Sequence, residues 1–526
     1  MSKRTTAQTG VSVPHQFRDP VTSCRDTAAS LPQAIWRRRS PLRFPPVHVP
    51  KLVASLGAIA FSFTLAGCVS VPRDSGLSDV TRIVSDRTGQ SVKWNDHDAI
   101  VPSSDDTIAP LLQSELTADG AVGIAFANNR DLQATLEELG VARADLLQAS
   151  QVRNPIFDGE FRFPGSPAKP FELSVMQTLL DLIQLPARRK LGAAAFEATK
   201  TRITGAVINF AAEVRSDFYE LQAAQQVLAR QSTITEAARV SAEISTRQHT
   251  AGNISDLDLE NEQAVYEQAK VDLARGQLAA LNARERLVMD MGLTKNDSHW
   301  IVQTEFAAIP QTETPIEDLE NTALSRRADI AVARAQLEAA RRMLPIARAS
   351  AFGDLAVGIH RDREADGAKT TGPGLSLPIP IFNRGAAARS RAGATLRQSQ
   401  QRLEALLTSA RSEVRTAHER LIEARSRAAY LRDVVVPRRQ RIVSLTQLEY
   451  NSMHRGVFEL IQARQNLARA ERELVMAQRD YWVARTEMDR ALDGGGSFSV
   501  RPEMPSMRRT ELDSTMNMPQ SKAALP

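Results

Sequence analysis

Residues 384–437 read RGAAARSRAGATLRQSQQRLEALLTSARSEVRTAHERLIEARSRAAYLRDVVVP, a sequence rich in alanine, leucine and arginine. Apolar residues recur in it every seven positions, in two interleaved series. The first series is Leu396, Leu403, Ala410, Ala417, Ala424 and Leu431, and the second is Leu407, Val414, Leu421, Ala428 and Val435. This spacing is typical of a coiled-coil seam. At about 1.5 Å per residue it predicts a helix roughly 80 Å long, which a globular domain does not need.

The helical pattern continues beyond this stretch to Leu492. We expect Pro437 to kink or interrupt the helix, because proline lacks the backbone N–H that the helix uses. Gly456 predicts a second break, and the glycines 494–496 predict the end of the last helix. Residues 494–526 are predicted to be a disordered tail.

Residues 118–293, the first of two similar segments, are predicted to contain a short helix, a β-hairpin, a long helix, a glycine break at Gly252 and a last helix. Apolar and polar residues alternate in two runs separated by a Pro- and Gly-rich turn, so a hairpin is predicted at about 156–180. Gln177 is the one polar residue on its apolar side. Each strand is expected to have about ten residues, the length that a tilted bilayer crossing needs.

Residues 321–493 repeat this order after a Thr-, Glu- and Pro-rich linker at 294–320. Ala323–Ile330 matches Ala125–Leu132 at an offset of 198 residues. A second hairpin is predicted at about 353–380, with a polar loop from Arg361 to Thr371. A repeat of about 200 residues is too long for a solenoid unit, and it suggests the duplication of one membrane-crossing unit.

The first 67 residues form, in our interpretation, a basic leader and a lipoprotein signal peptide. Lys51 precedes an apolar run at 52–64, and Leu65-Ala66-Gly67-Cys68 follows it, in the order of a secretory signal. The ending resembles a bacterial lipobox, so Cys68 is expected to be acylated and to become the mature N-terminus. The alternative is an ordinary signal peptide with an incidental cysteine. Either the leader is unusually long, or translation starts later, for instance near Val47.

The leader also explains the basic composition. Of 66 Lys and Arg and 61 Asp and Glu, residues 1–67 hold nine basic and two acidic ones, which leaves 57 basic against 59 acidic in the rest. A nucleic-acid-binding body would carry a basic excess, so this class of partner is not expected. Cys24 would be lost with the leader, and Cys68 alone cannot form an intramolecular disulfide. Residues 68–117 are polar and predict an extended tether or plain disorder.

No catalytic constellation is found in the sequence. The eight histidines are scattered without metal-ligand spacing, and neither a P-loop nor a G-x-S-x-G is present. His249 and His454 both lie near glycine breaks, which suggests either a metal site there or a coincidence. We therefore expect no enzyme, no cofactor and no metal site, and a passive conduit that takes its energy from a partner.

Four strands per chain cannot close a barrel, and an open sheet edge is not tolerated in lipid. We therefore expect several copies to share one barrel, with eight strands in a dimer or twelve in a trimer. The long helices would then line a helical tube continuous with it. The fold class is thus mainly α, with long coiled-coil helices and two β-hairpins that supply four strands.

Several segments together carry a family resemblance. They are Cys68 in its lipobox, the residues 139–145 with Asn154-Pro155, the residues 380–385, and the two glycine breaks with their flanks at 249–257 and 450–460. With the duplicated order of elements, the chain resembles the TolC-like outer-membrane efflux protein family, and in particular its lipoprotein members. The resemblance covers residues 118–492.

This resemblance implies a homotrimer with a twelve-stranded β-barrel in the outer membrane and a periplasmic α-helical tunnel. It implies that the chain docks with a periplasmic adaptor protein and an inner-membrane transporter as the exit duct of a tripartite efflux system. The cargo would be drugs, metal ions or other small molecules. Two alternatives stay open: a type I protein-secretion duct of the same fold, and a non-channel periplasmic coiled-coil lipoprotein scaffold.

In the family the glycine breaks form the periplasmic tip of the tunnel, where acidic residues and a Tyr/Arg network control closure. The resemblance makes Gly252 and Gly456 the tip turns of this chain. The gate candidates that it implies are Glu459, Asp256, Asp258, Arg455 and Tyr450. The alternative for Asp256 and Asp258 is that they are helix-start acids favoured by the helix dipole, with Ser255 and Asp258 forming a capping box.

Overall fold

The structure is a computed structural model that describes residues 76–92, 111–163, 170–293, 300–349, 355–364, 366–379, 381–382, 384–496, 498 and 500. The predicted lipidation site Cys68 and the whole leader lie outside the described residues. So do the residues after 500.

Helices dominate the described part of the chain, and none of them combines the length and the apolar character that a membrane crossing requires. In chain order they are α1 (Leu77–Thr88), α2 (Ala118–Asn128), α3 (Arg130–Ser150), α4 (Leu179–Thr250), α5 (Asp256–Met291), α6 (Ile316–Arg326), α7 (Ala328–Ala349), α8 (Ala386–Tyr430), α9 (Val436–Asn451) and α10 (Val457–Asp493). The 72-residue α4 is the longest of them.

Two hairpins that are far apart in the sequence form one sheet. Its strands are β1 (Ile156–Phe161), β2 (Phe171–Thr178), β3 (Ala356–Arg363) and β4 (Lys369–Ser376). They are antiparallel in the order β1-β2-β3-β4, so β2 and β3 join the hairpins and β1 and β4 are the two edges. This confirms the predicted fold class of long helices with four strands from two hairpins.

The strands differ in extent from the prediction. β1 has six residues and the other three strands have eight, rather than about ten. β2 ends at Thr178 because α4 begins at the next residue. The polar loop predicted from Arg361 to Thr371 is also wrong at both ends, since Arg361–Arg363 and Lys369–Thr371 pair within β3 and β4. Their side chains are polar, but their backbone groups belong to the sheet, which a side-chain pattern does not reveal.

One face of the sheet carries apolar side chains that remain exposed. Phe157 lies opposite Val175, and Val175 lies opposite Ile359 on the next strand. Phe157 and Ile359 are 67% and 60% exposed. Gln177, the polar residue of the first hairpin on this face, is accounted for because its side-chain amide donates to the carbonyl of Arg153 at 3.2 Å. Towards the turn of the second hairpin the same face also carries Arg361 and Arg363, which lie opposite Leu173 and Phe171. The predicted alternation is therefore correct, and its apolar side faces away from the protein core.

The seven-residue repeat in α8 buries a row of small residues. The buried members of α8 include Ala410, Val414, Ala417, Leu421, Ala424 and Ala428. Most of this row packs against Tyr481, Ala484 and Met488 of α10. Small side chains let the two helix backbones approach closely, as a coiled-coil seam requires.

The interruption expected at Pro437 lies just before it. Residues Leu431–Val435 form a π-helical turn between α8 and α9. Proline cannot donate a backbone hydrogen bond to the preceding turn, and a widened turn accommodates this loss without ending the helix.

The extended tether predicted for residues 68–117 is wrong for α1. Val80 and Val84 of this helix are completely buried, and they share a core cluster with Val92 and Leu116. A helix of only three turns offers too few apolar positions for its period to stand out in the sequence.

The disordered tail predicted from residue 494 is also wrong at its beginning. Val500 is buried, and its carbonyl accepts a hydrogen bond from the Thr135 hydroxyl at 3.2 Å. The side-chain amide of Asn209 donates to the carbonyls of Gly495 and Phe498. The segment after α10 therefore crosses to the helices of the first half and packs on them.

Both halves break a helix at positions 198 residues apart. Asn129 separates α2 from α3, and Arg327 separates α6 from α7; both have extended backbones. The side chain of Arg327 is completely buried and pairs with Asp329 at 2.7 Å and Glu413 at 2.8 Å. Burial disfavours its charge, but the two carboxylates outweigh this and raise the pKa of Arg327 above its usual range. The guanidinium also donates to the carbonyl of Ala491 in α10.

Gly495 is required where the chain passes this buried ion pair. Its φ of +62° is left-handed, and a Cβ there would lie 2.5 Å from Nε of Arg327 and 2.6 Å from Oδ1 of Asp329. We call Arg327, Asp329, Glu413 and Gly495 the arginine hub. It ties α7, α8 and the segment after α10 together.

Substitution of Gly495 by alanine is expected to destabilise the protein strongly. Gly89→Ala is the matched control, since Gly89 has φ of +74° and an added Cβ would meet nothing within 4 Å. The control should cost about 1–2 kcal/mol for the left-handed backbone alone, whereas Gly495→Ala should cost about 3 kcal/mol or more by displacing a buried ion pair. Thermal unfolding of the purified protein measures both, and equal shifts would contradict the role of the hub.

Candidate functional site

The first turn, residues 249–258, joins α4 to α5. Gly252 adopts a left-handed conformation with φ of +74°, and the N–H of Asn253 donates to the carbonyl of Gln248 at 2.9 Å. This is a common way to end a helix, because it satisfies carbonyls that the helix leaves free. Gly252 therefore forms the turn that the sequence predicts.

The two acids of the first turn have different surroundings. The N–H of Asp258 donates to the Ser255 hydroxyl at 3.2 Å, and the N–H of Ser255 donates to the Asp258 carboxylate at 3.3 Å. This confirms the capping box and binds Asp258 to its own helix start. Asp256 has a side chain that is 94% exposed, and its Oδ1 lies 2.6 Å from Nε2 of His249. Both acids are exposed, but only Asp258 is engaged in capping its own helix.

The second turn, residues 449–459, joins α9 to α10 in a different way. Its left-handed residue is Met453, with φ of +63°, and not a glycine. Gly456 has an extended backbone and caps α10. Helices therefore break near both glycines, as the sequence predicts, but the two turns differ in conformation. An added Cβ at Gly456 would lie 2.7 Å from Oε2 of Glu459, the end of a flexible and exposed side chain that can move aside.

Arg455 is held within the second turn. Its Nε donates to Oε2 of Glu449 at 2.8 Å, and both side chains are about half exposed. Glu449 was not among the residues predicted for the gate. It lies six positions before Arg455, a spacing that only the reversal of the chain brings together. No periodic pattern in the sequence could have shown this pair.

Glu459 and Tyr450 complete the second turn. Glu459 lies in the first turn of α10, where the positive end of the helix dipole favours a carboxylate. The ring of Tyr450 is partly exposed, and its carbonyl accepts a hydrogen bond from the N–H of Met453 at 3.0 Å. Met453 itself is 94% exposed at the apex of the turn.

The described residues form two local groups rather than one network. In the first turn Asp256 contacts His249 and Asp258 contacts Ser255, and in the second turn Glu449 pairs with Arg455. No hydrogen bond or ion pair between the two turns occurs among the residues that the structure describes. Each turn pairs acidic with basic or ionisable groups, so each presents exposed carboxylates beside a cation or an imidazole.

The family model described as Outer membrane efflux protein matches residues 319–494. A curated relative, the cobalt-zinc-cadmium resistance protein CzcC of Cupriavidus metallidurans, is 22% identical over 388 residues, which cover 72% of this chain and 90% of CzcC.

Solved structures show the same fold. CusC is 20% identical with a TM-score of 0.59, and the match covers 72% of this chain and 92% of that one. The CmeC outer membrane channel of Campylobacter jejuni is 18% identical with a TM-score of 0.58, over 73% and 86% of the two chains. These likenesses extend the fold assignment to the first half of the described chain, outside the matched family region.

Proposed function

Because residues 319–494 match the model of the Outer membrane efflux protein family, and the described chain has the fold of CusC, we propose that this protein is an outer-membrane exit duct of an efflux system. It passively conducts cargo from a periplasmic pump assembly to the exterior. The observation that carries the proposal is the four-stranded sheet, with its exposed apolar face and its direct continuation into very long helices.

The apolar face suits contact with lipid. On β3 and β4, Ile359 and Leu375 are 60% and 70% exposed, and they alternate with polar residues such as His360 on the other face. A sheet in a soluble protein would bury these side chains. A periplasmic scaffold, the alternative of another class, has no use for such a face.

The open edges support assembly from several copies. β1 and β4 each pair on one side only, so each has backbone groups that lipid cannot satisfy. Three copies supply twelve strands, within the range of closed barrels, while their long helices form a tunnel. The duct is therefore proposed to be a homotrimer, lipid-anchored through Cys68.

The turns are proposed to face the periplasm as the gated tip of the tunnel. Three copies would concentrate the carboxylates of Asp256 and Glu459 around one axis, with the pair of Arg455 and Glu449 beside them. The adaptor protein and the inner-membrane transporter of the pump are the proposed partners at this end, and Tyr450 and Met453 would lie near the contact.

The cargo is proposed to be small molecules or metal ions. CzcC is named for resistance to cobalt, zinc and cadmium, which places divalent metal ions among the candidates. Deletion of the gene followed by growth on graded metal salts and drugs would identify the class that this duct exports.

A charge on the apolar face should prevent insertion. Ile359→Arg is expected to cost about 2–4 kcal/mol at the depth of the bilayer centre, because the guanidinium would enter hydrocarbon. Ser174→Arg is the control: Ser174 lies opposite His360 on the other face, next to the Val175–Ile359 pair. Planar-bilayer conductance and outer-membrane fractionation measure insertion. If Ile359→Arg inserts and conducts as well as Ser174→Arg does, the apolar face does not contact lipid.

Neutralising Glu459 should weaken block of the conductance by divalent cations. The reason is that the substitution removes one negative charge from each of the three proposed copies, which lowers the local cation concentration at the tip. Glu404→Ala, an exposed acid on α8 far from the turns, removes the same charge elsewhere and should leave the block unchanged. If Glu459→Ala leaves the cation block unchanged, Glu459 is not part of the gate, and the proposal that the protein is a duct is unaffected.

A further inference from the structure

All helix junctions of the sheet lie at one of its ends. Ile156, the first residue of β1, lies opposite Met176 near the end of β2. Ala356, the first residue of β3, lies opposite Thr178 and Ser376, the last residues of β2 and β4. The C-termini of α3 and α7 and the N-termini of α4 and α8 therefore approach the same end, which we call the helical end of the sheet.

The apolar face continues past the strands at this end. The alternation on β4 runs on after Leu375 through Leu377, Ile379 and Ile381, which are 55%, 75% and 62% exposed. Phe382 is almost fully exposed, and Ile183 in the second turn of α4 is 68% exposed. The surface suited to acyl chains is therefore taller than the six- to eight-residue strands alone.

Next to this apolar surface, basic residues lie on or beside three of the four helices that meet the helical end of the sheet, namely α4, α7 and α8. Residues 384–403 contain five arginines and neither Asp nor Glu, and Arg188-Arg189-Lys190 occupy the third turn of α4. Arg188 is paired with Asp181, and Arg342 with Glu338. The basic collar is the set that is exposed and forms no ion pair with any described residue: Arg189, Lys190, Arg348, Arg384, Arg389 and Arg391.

We propose that the basic collar binds the headgroups of anionic phospholipids in the membrane leaflet nearest the helices. The clustered cations of the collar repel one another, so an anionic surface with many charges stabilises them. The headgroups of anionic lipids would provide such a surface where the apolar face ends. Acyl chains would lie along Ile379, Ile381 and Ile183, with phosphates at the level of Arg384 and Lys190. The inference rests on the proposed outer-membrane location of the duct.

Lipid fits this surface better than protein does. A second copy would bring its own collar, and so would add charge of the same sign. An acidic peptide would satisfy the arginines but would leave Phe382 and Ile379 exposed. Only an amphipathic anion covers both parts of the surface.

The test uses the full protein reconstituted in vesicles of phosphatidylcholine alone or with about a third phosphatidylglycerol. The collar variant Arg384→Gln, Arg389→Gln, Arg391→Gln is compared with the control variant Arg438→Gln, Arg439→Gln, Arg441→Gln. The control arginines are likewise exposed and outside any ion pair of the described chain, and they lie roughly 80 Å further along α8 and α9. Bound lipid is counted by native mass spectrometry after detergent release.

The wild type and the control variant should retain phosphatidylglycerol over phosphatidylcholine by at least fivefold, and the collar variant should lose most of this preference. Equal loss in both variants would overturn the proposal, since net charge alone would then explain it. Displacement of the lipid by millimolar inorganic phosphate would also overturn it. Conductance is recorded in the same vesicles to separate the two proposals. Normal conductance without a lipid preference would contradict only lipid binding by the basic collar. Absence of conductance in every lipid would contradict the proposed duct itself.

Discussion

Backbone hydrogen bonding across the sheet is the constraint on which the rest of the structure depends. β2 and β3 come from opposite halves of the chain, and each is satisfied on both sides. β1 and β4 are satisfied on one side only, next to a face whose apolar side chains are exposed. In lipid the free backbone groups of these edges need hydrogen-bond partners. The inner strands β2 and β3 cannot supply them, because each already pairs on both sides. The single chain is therefore incomplete where it would meet the membrane.

The helices hold the two hairpins in this arrangement. A sheet built from segments nearly 200 residues apart needs a rigid frame that fixes where each hairpin begins. The α8–α10 seam supplies part of that frame, and the arginine hub supplies another part by binding Arg327 to α7, α8 and the carbonyl of Ala491. Because an unpaired buried guanidinium is costly, the hub fixes one relative position of these elements.

The parts of this structure with a period were predictable from sequence, and those without one were not. The seven-residue apolar repeat from Leu396 to Val435 predicted the coiled-coil seam. The alternation of apolar and polar residues around Phe157 and Ile359 predicted the apolar face of the sheet. The short helix α1, the docking of Val500 and the pair of Arg455 with Glu449 depend on where the chain returns in space. Arg327 looks like any surface arginine beside Arg326, and only the three-dimensional packing shows that it is buried. The similar sequence positions of Gly252 and Gly456 also concealed two different turn geometries.

Cysteine crosslinking between the sheet edges tests the central claim most directly. Asp158→Cys on β1 is combined in turn with cysteines replacing Gly372, Gly374 or Ser376 on β4. Within one chain these edges are separated by three strand spacings, about 14 Å, which exceeds the reach of a disulfide. If β1 of one copy pairs with β4 of the next, oxidation of at least one combination in membranes should give a covalent trimer. A chain that stays monomeric in every combination would contradict closure of the sheet by neighbouring copies.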